Sequence, residues 1–244
     1  MTTLAQICNQ AAQVAKAPGM TAIAGQWLNT VLEELKLVRD LKVNRVTQVV
    51  TVTSGTYGPF PLEADYLRTY DMSYPLSQPN GETQFLYQVT MAQWDAEFKG
   101  VTTANYPYEF ATDTSTQAQV WSGGTQGSGT LTSAGFFNIY PQSNGTLNIT
   151  HRYMKNQPDY ANPQSSSVVP WFPYTLYLIT RVAGEMMGTS GDDRRAEYLG
   201  EAERMLQPYL CNEGDEQQTV RRVELDPRHF RSNRAVRPTK VLPY

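Results

Sequence analysis

The spacing of apolar residues changes twice along this chain, and that double change most constrains the fold. Near the start, Leu4, Ile7, Ala11, Val14 and Ala15 recur at steps of three and four, the repeat of a helix with one buried face. Pro18-Gly19 ends that run. Thr21 is placed to cap a second helix, in which Ile23, Trp27, Val31, Leu35 and Val38 share a face flanked by Leu28 and Leu32. The pair predicts an antiparallel helical hairpin. From Arg45 to Tyr153 the pattern becomes valines, threonines and aromatics in short runs, which favours strands. Helical spacing then returns after Pro170 and Pro173, with Leu176, Ile179, Val182, Ala183 and Met186 on one face. Gly188 to Gly191 ends it. Asp192 or Asp193 caps a last helix carrying Ala196, Leu199, Ala202, Met205, Leu206 and Leu210.

Within the central region the predicted strands are 66–74, 85–89, 106–112, 117–121, 136–140 and 146–153, after a first one starting at Arg45. Met91 to Phe98 is a short helical turn, with Met91, Trp94 and Phe98 on one side. Asn144-Gly145 predicts a hairpin joining 136–140 to 147–153, because Asn-Gly suits the tight turn between paired strands. The resulting class is α+β: a helical bundle of N- and C-terminal helices plus an antiparallel β-domain, with an extended C-terminal arm. Residues 1–44 and 168–212 form the bundle, 45–167 the β-rich domain, and 213–244 the arm. The glycine-rich stretch 122–133 is a hairpin tip. It lacks the Lys-Ser/Thr of a phosphate-binding loop and leads into a strand where such a loop opens a helix.

Charge separates the arm from the body. From Val220 to Tyr244, Arg221, Arg222, Arg228, Arg231, Arg234, Arg237 and Lys240 face only Glu224 and Asp226, a net of +5. The whole chain carries −3, so the rest carries −8. Prolines at 227, 238 and 243 keep the arm extended, yet Val236, Val241, Leu242 and Tyr244 make it partly apolar. A solvated tail has no use for that mixture; an arm inserted between partner subunits has. Charged residues are only 18% of the chain, as suits a surface covered by neighbours and equally an ordinary β-rich domain.

Little in the sequence suggests catalysis. There is no nucleophile elbow of the GxSxG type, and His151 and His229 are the only histidines. His151, in a strand, is expected to be structural. Asp95 with Glu97, beside Trp94 and Phe98, could imitate a glycosidase pair, and Glu63 with Asp65 is a second carboxylate pair. Both pairs are expected to be caps and surface charge. Cys8 and Cys211 belong to no metal-ligand cluster, and two distant thiols suit a reducing compartment, although a disulfide between them stays open. No secretory leader and no bilayer-length apolar run is visible, so the expectation is assembly in a cytoplasm with no membrane contact. No catalytic residue, cofactor or metal is expected. Trp27, Trp94 and Trp171 are expected in the core, and Trp121, before the glycine-rich stretch, is the exposed candidate.

The order of motifs carries a resemblance. After Trp27-Leu28-Asn29 and the 31–35 run comes Phe60-Pro61-Leu62-Glu63-Ala64-Asp65-Tyr66-Leu67-Arg68. This resembles a Pro-x-x-Asp-aromatic-Leu-Arg stretch of podovirus-type phage adaptor proteins, with one extra residue before the aspartate. Gly135 to Gln142, with its Ile139-Tyr140-Pro141 end, Leu147 to Tyr153, and Val169-Pro170-Trp171-Phe172 follow in that family's order. The chain is similar to these head-to-tail connectors over about residues 4–212. The resemblance implies a ring of twelve copies below the portal, around the channel through which genomic DNA passes without specific binding. It implies a portal-proximal helical bundle, a tail-proximal β-domain meeting a tail nozzle or tail fibre, and an arm (Arg221, Arg222, Arg228, Arg231, Arg234, Arg237, Lys240, Leu242 and Tyr244) that binds the portal protein. The implied location is the virion neck. A carbohydrate-binding or adhesin module built on the β-segment, with its many tyrosines, is the alternative function.

Overall fold

A computed structural model describes residues 2–38, 40–76, 82–99, 101, 104–123 and 129–220. In chain order it has helices α1 (Leu4–Val14) and α2 (Thr21–Val38), strands β1 (Arg45–Val52), β2 (Phe60–Pro61), β3 (Tyr66–Pro75), β4 (Thr83–Phe85) and β5 (Tyr87–Val89), and helix α3 (Met91–Glu97). Strands β6 (Ala104–Asn105), β7 (Glu109–Asp113), β8 (Val120–Ser122), β9 (Thr130–Ser133), β10 (Phe136–Tyr140), β11 (Gln142–Ser143) and β12 (Leu147–Lys155) precede helices α4 (Thr175–Ser190) and α5 (Arg195–Val220). The class is mixed α+β, with the helices of both ends gathered around one apolar cluster and the strands around another.

Local chemistry starts and stops the helices. Thr3 accepts from the Gln6 amide while Gln6 accepts from the Thr3 amide, and Thr90 with Gln93 does the same for α3. Each pair satisfies two amide donors that have no partner inside the helix. Gly191 ends α4 in the left-handed region, at φ 70°, where a glycine avoids Cβ strain. Asp192 accepts from the Arg194 amide at 3.0 Å at the entry to α5. Helix α4 packs against α1, α2 and α5. Gly184 permits the α4–α5 approach, since a Cβ there would lie 2.8 Å from Leu199 Cδ2. Leu4, Ile7, Leu28, Leu178 and Phe172 are fully enclosed in this layer, each contributing about 1.5–3 kcal/mol of burial.

The apolar stripes are rotated from those expected. In α2 the buried positions are Ala24, Leu28, Val31, Leu32 and Leu35, while Trp27 lies half-buried at the cluster edge. In α4, Leu176 is exposed and Tyr177 and Leu178 are buried. Trp171 is half-buried and Trp94 is core. Spacing alone places an apolar residue on a broad face; the neighbouring helices decide its centre. Helix α5 continues through Val220, so the expected boundary at 213 falls inside it.

The strands form two four-stranded sheets, ordered β1-β12-β3-β4 and β2-β10-β7-β5, with the small pairs β11-β6 and β8-β9. The first sheet is antiparallel throughout, but β5-β7 and β11-β6 are parallel. Two strand expectations therefore need correction. The Asn144-Gly145 turn does not make a hairpin: β10 pairs with β2 and β7, whereas β12 lies between β1 and β3. Turn chemistry specifies a reversal, not the partner. Residues 85–89 are not one strand either. The Leu86 amide donates to Met72 O in one sheet and the Tyr87 amide to Tyr108 O in the other, so the chain changes sheets at the buried Leu86. The hairpin around the glycine-rich stretch does form, from β8 and β9, and residues 124–128 at its tip lie outside the described residues.

His151 sits at the centre of the β-core and is fully enclosed. The rings of Tyr153, Tyr66 and Phe137 surround it at centroid distances of 5.3, 5.7 and 6.0 Å, and Nε2 lies 3.1 Å from Thr69 Oγ1. Burial disfavours the imidazolium and pulls its pKa down from 6.5 to about 4. Both states are neutral above pH 6.5. Below it only the unfolded chain takes up this proton, so stability falls as pH drops from about 6.5 towards 4. The loss from this residue is about 3 kcal/mol. Denaturant unfolding at stepped pH should show that slope, and His151→Gln should flatten it; an unchanged slope in the variant would assign the acid sensitivity elsewhere.

Candidate interaction surfaces

The chain passes from helices to strands at residues 39–45 and back at 155–171, and polar contacts hold both crossings. Arg68 on β3 reaches Asp40 just beyond α2, with Nε and Nη2 at 2.8 and 2.6 Å from Oδ1, and its Nη1 donates to Leu37 O at 2.8 Å. A guanidinium there also meets the negative end of the α2 dipole. Arg45, opening β1, stacks 3.9 Å from the centroid of Tyr70. On the return, the nearly buried Lys36 donates to Gln157 O at 3.0 Å, and Gln157 Nε2 donates to Asn44 Oδ1 at 3.1 Å. The Asn29 amide both donates to Tyr160 O, at 2.8 Å, and accepts from its backbone N–H, at 3.2 Å. Two apolar layers are thus joined by a directional polar seam.

A second ionic group ties the helices together. Arg181 on α4 lies 3.2 Å from Glu34 of α2, 3.2 Å from Glu185 and 3.8 Å from Glu203 of α5. Glu185 also accepts from Arg195 at 3.1 Å. Beside this group, Asn29, Thr30, Glu33, Glu34, Leu37 and Asp159 line an open groove of about 340 Å³ along α2.

The β-part carries a further surface. Phe85, Tyr87, Tyr106 and Tyr108 are all 40% exposed or more, while Leu86 and Pro107 between them are buried. The first two lie on β4 and β5, which are the outer strands of their sheets. Sequence alternation marks these residues as strand-like but cannot tell an inner strand from an edge, so this patch was not legible beforehand.

The residues singled out from sequence do not converge on a reaction centre. Asp95 pairs with Lys99 at 3.2 Å on the outside of α3. Asp65 accepts from Tyr153 Oη at 2.8 Å and pairs with Lys155 at 3.1 Å, while Glu63 accepts from Gln48. His151 is walled in by the rings described above. Trp121 is half-buried. Cys8 is buried and Cys211 exposed, both free, and burial pushes the Cys8 thiol up to about 11. Among the described residues no group of three or more His, Cys, Asp or Glu side chains is placed to hold a metal, and no helix is long and apolar enough to cross a membrane. The arm residues Arg221, Arg222, Arg228, Arg231, Arg234, Arg237, Lys240, Leu242 and Tyr244 lie outside the described residues.

This mixed α+β body carries an open groove along α2 and exposed aromatic residues on its outer strands. The sequence model of the SU10 adaptor protein family matches residues 2–228, nearly the whole chain, and the chain belongs to that family. It is accordingly a phage adaptor protein and a virion component. No curated protein matches it significantly.

The Arg68–Asp40 contact can be measured directly. A double-mutant cycle with Arg68→Ala and Asp40→Ala should give a coupling of about 1 kcal/mol, because the pair is only partly exposed and charge-assisted. Arg68→Lys should recover only part of it, since a compact ammonium lacks the fork that reaches Asp40 with two nitrogens and Leu37 O with the third. Additive single effects would remove this contact from the seam.

Proposed function

We propose that this chain forms a closed ring beneath a phage portal, connecting capsid to tail and continuing the DNA channel. The family match over residues 2–228 carries this reading. The helical layer faces the portal, and the basic arm, including Arg221 to Lys240 with Leu242 and Tyr244, grips it. The β-sheets form a platform for a tail nozzle or tail-fibre protein. Twelve copies match the portal's symmetry. The net −8 of residues 1–219 repels phosphates, so genomic DNA slides past without specific binding. The ring assembles in the host cytoplasm and stays in the virion neck, with no catalysis and no membrane contact.

Cyclic closure needs two different patches that complement each other on neighbouring copies. Phe85 and Tyr87, exposed on outer strands, suit one of them: aromatic side chains bury a large area with little loss of rotamer freedom. This lateral role accounts for the exposed aromatics that an adhesin would otherwise use to stack on sugars.

Two experiments follow. Full-length chain and chain ending at Val220 are each mixed with the cognate portal ring and imaged. The full-length chain should add a ring and the shortened one should not; a ring from both removes the arm's role, and a ring from neither removes the adaptor reading. Separately, Phe85→Ser with Tyr87→Ser should leave the unfolding midpoint within about 0.5 kcal/mol of the parent while rings become incomplete. Complete rings from that variant would place the lateral interface elsewhere.

A further inference from the structure

The α2 groove and the C-terminal segment of the same chain have matching chemistry. Leu37 is 50% exposed on its wall. Its carboxylates point outward: the side chains of Glu33 and Glu34 are 41% and 55% exposed, whereas their cationic partners, Lys36 and Arg181, are only 7% and 16% exposed. Asp159 on the opposite wall is exposed too. The cations lie beneath and the negative charge faces solvent, beside the apolar Leu37.

The C-terminal segment has the complementary pattern. Arg228, Arg231, Arg234, Arg237 and Lys240 recur at every third residue, and Phe230, Val236 and Leu242 fall on a second three-residue register. An α-helix, turning about 100° per residue, would scatter five such cations around much of its circumference. An extended helix of three residues per turn, which Pro227, Pro238 and Pro243 favour, aligns them on one edge and the apolar residues on another.

The distances allow the contact. Arg181 bridges Glu34 on the groove to Glu203 on α5. From Glu203 the helix rises about 25 Å to Val220 at 1.5 Å per residue. Ten extended residues span about 33 Å, so Arg231 and its successors can return to the groove. A tether of this length holds the segment at an effective concentration on the order of millimolar, about 1,000-fold above a micromolar second copy. We infer that in the unassembled chain the segment from Arg228 to Lys240 docks in the groove of its own α2, with arginines at the Glu33, Glu34 and Asp159 rim and an apolar residue against Leu37. The arm is thereby sheltered until a partner displaces it. This contact needs no portal, so it can stand even if the portal reading falls.

Full-length chain with Cys211→Ser, in which Cys8 stays buried, would receive Leu37→Cys and Ala235→Cys and be oxidised at micromolar concentration. The control carries Val49→Cys, on the exposed β1 surface (61%), in place of Leu37→Cys. Because the tether is the same in both proteins, docking alone separates them: the intrachain disulfide should exceed the control about tenfold, and should drop to the control level when Arg228, Arg231, Arg234 and Arg237 are changed to Glu. A yield equal to the control, a product found only between chains, or a yield indifferent to charge reversal would each overturn the inference.

Discussion

The polar seam between helices and sheets is the constraint on which the rest depends. The chain enters the β-part once and leaves it once, so the two layers can be mutually positioned only if both crossings are fixed. Arg68 fixes the first by capping the end of α2 from a strand. Lys36, Asn29 and Gln157 fix the second by tying the return segment to the helix it runs along. Hydrogen bonds are weaker than apolar burial in net energy but are directional. They set an orientation where two apolar faces would slide. A protein that transmits position from one partner to another needs that property between its two ends.

Within each layer the logic differs. The helical layer is stabilised by apolar burial and by Arg181, which draws carboxylates from three helices to one guanidinium. The β-layer is built around β12, whose inward residues Ile149, His151 and Tyr153 fill the core between β1 and β3. His151 is held neutral in an aromatic site, with Nδ1 lacking a hydrogen-bond partner, and its burial ties β-layer stability to acidity. Two of the outer strands, β4 and β5, carry exposed aromatics at Phe85 and Tyr87. Apolar burial is thus concentrated inside each layer.

Much of the fold was legible in the sequence because periodicity reports burial. The four long helices, the α3 turn and most strands follow from it. What escaped was pairing. Asn144-Gly145 announces a turn with equal strength whether the next strand joins the same sheet or another, and only the competition of β1 and β3 for β12 decides. Leu86 likewise gives no local sign that its amide and that of Tyr87 serve different sheets. The stripe centres of α2 and α4 shifted because flanking apolar residues are interchangeable until neighbouring helices choose among them. Of the candidate surfaces, the basic arm was plain from charge, whereas the α2 groove and the exposed aromatics arise from tertiary placement of residues that are individually unremarkable.

The proposed ring implies an orientation as well as a contact: the helical layer would meet the portal and the sheets would face away. The most direct measurement is a cryo-EM reconstruction of this chain assembled on its portal ring, resolved well enough to tell helices from sheets. The account predicts a closed added ring with α1, α2 and α4 nearest the portal and the β4–β5 edge between adjacent copies. Density with the sheets against the portal, or copies that bind without closing a ring, would contradict it.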